Sequence, residues 1–501
     1  MSEGPARSSA FALAAQVTSA AFTAALVLYL VRTLGPAGYG TFALALGVAN
    51  LVALPADLGI SGSTARYVAE HHGDRATVVA LVRHGLRLKL AVAAAVSVAI
   101  VLLAGPIAAA YGHHALTWPL RGVAAALFGQ AVIGFFTATF SATRRVASTV
   151  RVIFAEGAME TGASIAFVAL GAGATGAAFG RAAGYAFGAL VACLVARRVY
   201  GPLLLPTLRE RAGALGARIG RYALVLVVID GAFALFQQVD VLVIGGVLGA
   251  TAVGRYSAPL RLIVLLHYPG LAIASGVAPR LTRRPGAAPA THTMALALRG
   301  LVVLQCLIVA PVLAWPGPIA RLLLGGAYGE SAHVLRAFAP FILLTGLAPL
   351  ASMAVDYLGE ARRRLPIAIG TVAVNLAIDL VLIPRIGIVG GAVGTDVAYL
   401  IYVPGHLWIC HRAIGLPLRP LLRTLAGALL ATGAMAAVLL GFGSAHLSPL
   451  EWCAGLVCGS AAFAAVATLT RAISAGEARA LLQALSRRRA RVPLRAAAAD
   501  A

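Results

Sequence analysis

The run LAVAAAVSVAIVLLAGPIAAA, Leu90 to Ala110, decides the fold. It carries no charge over about 20 residues, the length an α-helix needs to cross the hydrocarbon core of a bilayer. Arg83, Arg87 and Lys89 stand just before it, and Gly112-His113-His114 just after. Similar runs follow one another almost without pause from Phe11 to about Ala472. The composition agrees, with 60% hydrophobic and 11% charged residues and a mean hydropathy of +0.90. A soluble domain carries about 25% charged residues. The chain therefore reads as an all-α, polytopic membrane protein.

About fourteen spans are predicted, near residues 10–32, 38–60, 86–110, 118–142, 150–172, 176–198, 220–248, 253–277, 294–316, 334–355, 364–384, 388–411, 421–442 and 450–472. Arginine tests the count. With the N-terminus inside, internal connections hold clusters such as Arg83/Arg87, Arg144/Arg145/Arg151, Arg197/Arg198/Arg209/Arg211 and Arg362/Arg363/Arg364. The tail adds Arg487, Arg488, Arg489 and Arg491, whereas the external ends carry scattered residues such as Arg32, Arg121, Arg255 and Arg321. Miscounting one span would reverse this alternation downstream, and no reversal occurs. Both termini are expected in the cytoplasm. The net charge of +23 is then chiefly a topology signal, with the basic tail an anchor against anionic headgroups rather than a nucleic-acid surface. The first run is long enough to be an uncleaved helix.

Two stretches match without gaps at a displacement of 214 residues. Leu34, Gly35, Gly40, Phe42, Leu46, Leu51, Pro55, Ser61, Gly62 and Arg66 pair with Leu248, Gly249, Gly254, Tyr256, Leu260, Leu265, Pro269, Ser275, Gly276 and Arg280. The same offset pairs Gly173, Gly176, Ala178, Gly180, Tyr185 and Arg198 with Gly387, Gly390, Ala392, Gly394, Tyr399 and Arg412. Each repeat holds six spans, an even number, so both copies keep one orientation and form a parallel repeat of two six-helix lobes. The expected organisation is residues 1–200 as one lobe, 201–415 as the other, 416–473 as two appended helices, and 474–501 as a basic cytoplasmic tail.

The repeated pieces also resemble a known family. Arg32 through Leu34-Gly35-Pro36, Gly38-Tyr39-Gly40, Asp57-Leu58-Gly59-Ile60 and Ser63-Thr64-Ala65-Arg66-Tyr67 is similar to the start of polysaccharide-unit flippases. Asp240–Gly249 with Gly254-Arg255-Tyr256 and Ala278-Pro279 resembles the opening of their second lobe. Ile383-Pro384 with Gly387-Ile388 and Gly390-Gly391-Ala392 is similar to the turn between their eleventh and twelfth helices. These proteins belong to the multidrug/oligosaccharidyl-lipid/polysaccharide exporter superfamily. The resemblance implies fourteen helices around a central cavity and a substrate of sugars on a polyprenyl diphosphate. It also implies residence in the bacterial plasma membrane beside polysaccharide polymerases and glycosyltransferases of the same pathway.

Ionisable groups inside a span are costly and usually face a cavity or a partner. In the seventh span Asp230, Phe233, Gln237 and Asp240 fall on one helical face. Arg255 and Arg261 in the eighth suit bidentate contact with phosphate, with Gln237 and Gln238 as neutral donors nearby. An Asp240–Arg261 pair fastening the two spans is the competing reading. The offset places Leu26 and Gly47 at the equivalent first-lobe positions, so the cavity is expected to be asymmetric in charge. Gln16 and Asn50 are the first-lobe substrate candidates, while Asp57 suits a helix terminus. Asn375 and Asp379, four apart, are candidates for ion coupling. Glu156 and Glu160 read as a solvated or Arg151-paired helix end, and Arg181 as a snorkelling side chain.

No cofactor is expected. No phosphate-binding glycine loop with Lys and Ser/Thr is present, so nucleotide hydrolysis is not predicted. His71, His72 and Asp74 read as solvated loop residues rather than metal ligands, and the five cysteines as small apolar residues. An enzyme is disfavoured because the longest internal connections lack a carboxylate cluster suited to sugar transfer. The functional expectation is export of lipid-linked glycan by alternating access, with a multidrug or metabolite cation antiporter as the alternative. Cysteine labels at Gly73, Arg363 and the C-terminus are predicted to report the cytoplasm, and labels at His113 and His446 the exterior. A His446 label found inside would remove the fourteen-span topology.

Overall fold

The computed structural model describes residues 5–53, 59–71, 73–143, 145–201, 235–281, 291–445 and 447–472, the side chains of 5–17, 146, 279, 280 and 361 excepted. The regular elements among them are all helical. Among the described residues twelve helices are long and apolar enough to cross a membrane. The helix Pro5–Val52 contains the first two predicted spans, bent at Gly35 (φ 64°) ahead of Pro36. The expected break between these spans is present but short, two helices meeting at one non-helical residue: Gly35 adopts a positive φ without a Cβ penalty, and Pro36 has no N–H to continue the ladder. The described end of the seventh span is the shorter apolar helix Leu235–Leu248. With these two allowances the helices account for all fourteen predicted spans.

Runs below membrane length escaped the hydropathy reading. Ile60–Glu70 is one extra helix, and Pro316–Leu324 and Ser331–Ala337 lie between the ninth and tenth spans. The Arg75–Ala110 helix is started by Asp74, whose carboxylate accepts from the Ala76 and Thr77 N–H groups at 3.0 and 3.2 Å. His71 Nδ1 lies 2.9 Å from the Tyr67 carbonyl. Asp57 and His72 lie outside the described residues.

The chain divides into two compact units. The first comprises residues 1–265, 319–338 and 365–401. Part of its core is an aromatic stack, Phe136 to Phe140 to Tyr200, with ring centroids 6.0 and 6.2 Å apart. Its tightest crossing lies elsewhere, where the helix Ala250–Val264 meets the second half of Pro5–Val52. A Cβ on Gly40 would overlap the Ala250 carbonyl oxygen, and one on Gly254 would overlap the Pro36 carbonyl oxygen. Pro36 and Ala250 are themselves 214 residues apart, as are Gly40 and Gly254. Contacts that repeat with the partners exchanged are the signature of a two-fold relation. Residues 319–338 are tied to the rest of this unit by Arg32, which donates to the Leu322 and Leu323 carbonyls, and by Tyr328 OH, which donates to the Val31 carbonyl.

The second unit comprises residues 266–318, 339–364 and 402–501. Trp315 is fully buried and donates to the Leu439 and Gly443 carbonyls at 3.0 and 2.9 Å. Its ring packs where a Gly455 side chain would begin. A Cβ on Gly270 would overlap the Gly346 carbonyl, a second crossing that only glycine permits.

Overpacking a tight core costs about 1–3 kcal/mol when side chains can shift. At Gly254 the obstruction is backbone, so Gly254→Leu is expected to exceed that range and Gly254→Ala to approach it. Thermal unfolding in detergent, with Gly317→Ala in open space as the control, checks the ordering.

Candidate functional site: a charged cavity and a buried oxygen cluster

Two polar sites lie within the first unit. The first is a cavity of about 270 Å³ lined by Asn50, Gln130, Glu156, Glu160, Arg181, Tyr185 and Arg261 among apolar residues such as Leu26, Tyr39 and Phe42. Its carboxylates come from the helix Val146–Ala169, pressed against Gly173–Tyr200. Glycines at 180, 184 and 188 let the two backbones approach. Added Cβ atoms at these positions would strike Ser164, Glu160 and Glu156 in turn. This is small-residue packing at every fourth position, and it fixes both glutamates toward the cavity. The glycine period at 176, 180, 184 and 188 is visible in the sequence and was the missed signal.

Arg181 Nη1 donates to Glu160 Oε1 at 2.5 Å, and Nη2 to Tyr185 OH at 2.9 Å, with the guanidinium 4.7 Å from the Tyr185 ring centre. Glu160 is 8% exposed. Glu160 is thus neither solvated nor paired with Arg151, and Arg181 does not snorkel. The two form a buried ion pair on the cavity wall. Arg261 lines the same cavity and has no hydrogen bond or ion pair among the described residues.

The second site is a cluster of oxygens. Asp240 accepts from Tyr256 OH, from Thr395 Oγ1 at 2.5 Å and from Asn375 Nδ2 at 3.1 Å. Asn375 Nδ2 also lies 3.4 Å from Asp379 Oδ2. Asn375 and Asp379 are fully buried, and Asn375 Oδ1 and Asp379 Oδ1 have no hydrogen-bond partner. Gly394 is required here, since a Cβ would overlap Asp379 Oδ1. Two carboxylates, an amide oxygen and hydroxyls form a hard-oxygen set. It suits a small monovalent cation or a shared proton, and it lacks the nitrogen and sulfur donors preferred by zinc.

The predicted residues thus separate. Arg261 and Asn50 share the cavity. Asp240 joins Asn375 and Asp379 instead of Arg261, because Tyr256 and Thr395 offer closer neutral donors. Arg255 donates to Glu330 at 2.5 Å and is not among the cavity residues. Gln237 is exposed and Gln238 half-buried beside Gly47, and neither lines the cavity. Asp230 and the Gln16 side chain lie outside the described residues. Among the described residues no group of three or more His, Cys, Asp or Glu is placed to hold a metal ion.

A family model described as polysaccharide biosynthesis protein matches residues 6–283, more than half of the chain. The chain belongs to this family. A second model, MatE, matches residues 229–381. No curated protein matches the chain. Among solved structures, the lipid II flippase MurJ in an inward closed conformation aligns with a TM-score of 0.72 at 10% identity, covering 92% of this chain and 98% of that one. An inward-facing multidrug resistance MATE transporter aligns at 0.61 with 17% identity, covering 83% and 96%. A MOP superfamily transporter from Pyrococcus furiosus, described as having a binding pocket of reverse polarity, aligns at 0.54 with 15% identity, covering 83% and 97%. At these identities the structures speak for the fold alone. Fold and family together make this chain a multi-pass membrane protein of the polysaccharide biosynthesis family, built on the fold that these transporters share.

Breaking one partner of a buried pair leaves an uncompensated charge at a cost of about 3–5 kcal/mol. Arg181→Met is therefore expected to lower stability by that order, and Arg181→Met/Glu160→Gln to recover most of it. Thermal unfolding of the single and double variants in detergent tests the coupling. Equal destabilisation by both would disprove it.

Proposed function

We propose that this protein moves polyprenyl-diphosphate-linked oligosaccharide units across a bacterial plasma membrane by alternating access, for cell-surface polysaccharide synthesis. The observation that carries the reading is Arg261, a cavity-lining guanidinium without a carboxylate partner among the described residues. A diphosphate crossing a low-dielectric interior must keep partners for its charge. Arginine stays protonated and can grip two phosphate oxygens at once. Asn50 and Gln130, in the same lining, are neutral groups suited to sugar hydroxyls. Arg255, held by Glu330, is not part of this grip.

Membership of the polysaccharide biosynthesis family supports the substrate class, and the reciprocal Gly40/Gly254 crossing supports lobes 1–200 and 201–415 as a parallel repeat. Both termini are placed in the cytoplasm on the arginine asymmetry. Polymerases and glycosyltransferases of the same pathway are proposed partners. We further propose that Asp240, Asn375, Asp379 and Thr395 bind the coupling cation or proton. Two buried carboxylates without a cationic side chain require one.

The alternative, a cation antiporter, is favoured by Glu156 and Glu160 in the same cavity. Reconstituted vesicles separate the two. Arg261→Ala is expected to abolish translocation of a polyprenyl-diphosphate oligosaccharide, with Arg261→Lys restoring it partly, while folding is unchanged. Asp379→Asn is expected to remove the dependence of transport on an imposed cation or proton gradient. Normal glycan export by Arg261→Ala would refute the head-group assignment, and Arg261-independent efflux of an organic cation would establish the alternative.

A further inference from the structure

A third polar feature lies in the second unit, far in sequence from the residues discussed so far. It is a cavity of about 710 Å³ lined by Arg299, Arg419, Arg423 and Arg471 with Pro420, Thr424, Leu469 and Thr470. It sits where the start of the helix Leu418–Gly441 meets the end of the helix Pro449–Leu469. Among the described residues the lining contains four arginines and no carboxylate. One wall is rigid: Arg299 Nε donates to Thr424 Oγ1 at 2.7 Å and its Nη2 to the Ala472 carbonyl at 3.2 Å, while Thr424 Oγ1 donates to the same carbonyl at 3.1 Å. Arg419, Arg423 and Arg471 are exposed, with no hydrogen bond or ion pair among the described residues. Arg471 is also the one non-glycine residue with positive φ, 53°, among the described residues. That conformation costs about 1–3 kcal/mol and is retained only where the surroundings enforce it.

Charge alone would suit any phosphate. The rim decides between sources. Leu469 in the lining is 81% exposed and Leu422, one residue before Arg423, is 61% exposed. A ligand that satisfies both features carries an anionic phosphate head on an apolar tail. We propose that this cavity is a binding site for the headgroup of an anionic phospholipid. The three exposed arginines hold the phosphate, and Leu422 and Leu469 lie along the acyl chains. Basic pockets between membrane helices near the headgroup layer suit such ligands. The proposal stands whether or not the transport reading holds.

The test uses full-length protein, delipidated in detergent and titrated with phosphatidylglycerol or cardiolipin, read by native mass spectrometry and thermal unfolding. The wild type is expected to bind one tightly held anionic lipid here and to unfold at a higher temperature with it. Each basic side chain near an anionic surface is worth a factor of about five in affinity. Arg419→Gln/Arg423→Gln/Arg471→Gln is therefore expected to lose on the order of a hundredfold. Arg419→Lys/Arg423→Lys/Arg471→Lys keeps the charge and is expected to retain most of the binding, which separates loss of the site from loss of folding. Arg362→Gln/Arg363→Gln/Arg412→Gln removes equal charge elsewhere and is expected to change nothing. Undiminished lipid binding by the glutamine variant overturns the proposal. So does equal stabilisation by inorganic pyrophosphate, which would make this a site for free phosphate, or by zwitterionic phosphatidylcholine.

Discussion

The closest constraint in the first unit is the backbone crossing at Gly40 and Gly254. No side chain fits there, because the obstruction on each side is a main-chain carbonyl, at Ala250 and Pro36. Among apolar helices in a bilayer, close approach substitutes for the hydrophobic drive that lipid cannot provide. The kinks that precede the crossing have the same origin on both sides. Gly35 and Gly249 adopt φ of 64° and 83°, turning each helix so that its next turn meets the other. Two further pairs at the same offset are left-handed as well: Gly173 with Gly387 at 56° and 68°, and Gly201 with Gly415 at 82° and 67°. The repeat is therefore visible in where the chain bends, a property set locally by glycine and independent of the identity of the intervening residues.

What the sequence disclosed follows from this. Span positions and the offset are encoded in long runs and in glycine, which single-chain reading sees well. At Gly35 hydropathy registers the break in apolarity but not how few residues it takes, since one non-helical glycine ahead of Pro36 separates the two helices. Partner choice was less legible. Asp240 and Arg261 looked complementary, yet the hydroxyls of Tyr256 and Thr395 are nearer to the carboxylate. Thr395 is 155 residues away and carries no charge to advertise itself. Glu160 and Arg181 each read as peripheral, Glu160 because Arg151 stands on its own helix and Arg181 because it lies near the end of its span. Their pairing depends on glycines that bring two helices together, so the relevant signal lay in the spaces between the charges.

The offset also relates the two polar sites. Arg181 in the first lobe corresponds to Thr395 in the second, Tyr185 to Tyr399, Phe42 to Tyr256 and Leu26 to Asp240. Gly180 and Gly394, equivalent again, press against Ser164 and Asp379 respectively. The same place in each lobe is thus polar, but filled differently. In the first lobe a guanidinium is built in and balances Glu160 at 2.5 Å. In the second, Thr395 replaces the guanidinium, Asp240 replaces an aliphatic residue, and Tyr256 adds a hydroxyl where the first lobe has a phenyl ring.

These substitutions change what each cluster can do. A covalently attached cation cannot leave, so the first-lobe pair is a fixed element of the cavity wall whatever the ion concentration. The second-lobe cluster has the same number of acidic groups, Asp240 and Asp379, and no attached cation among the described residues. Two of its buried oxygens, Asn375 Oδ1 and Asp379 Oδ1, have no hydrogen-bond partner. Occupancy of such a cluster responds to the concentration of a cation or proton, and a ligand that binds one arrangement of the helices better than another biases the equilibrium between them. Three exchanges on a shared frame, at 26/240, 42/256 and 181/395, separate the fixed ion pair from the oxygen cluster without an attached cation.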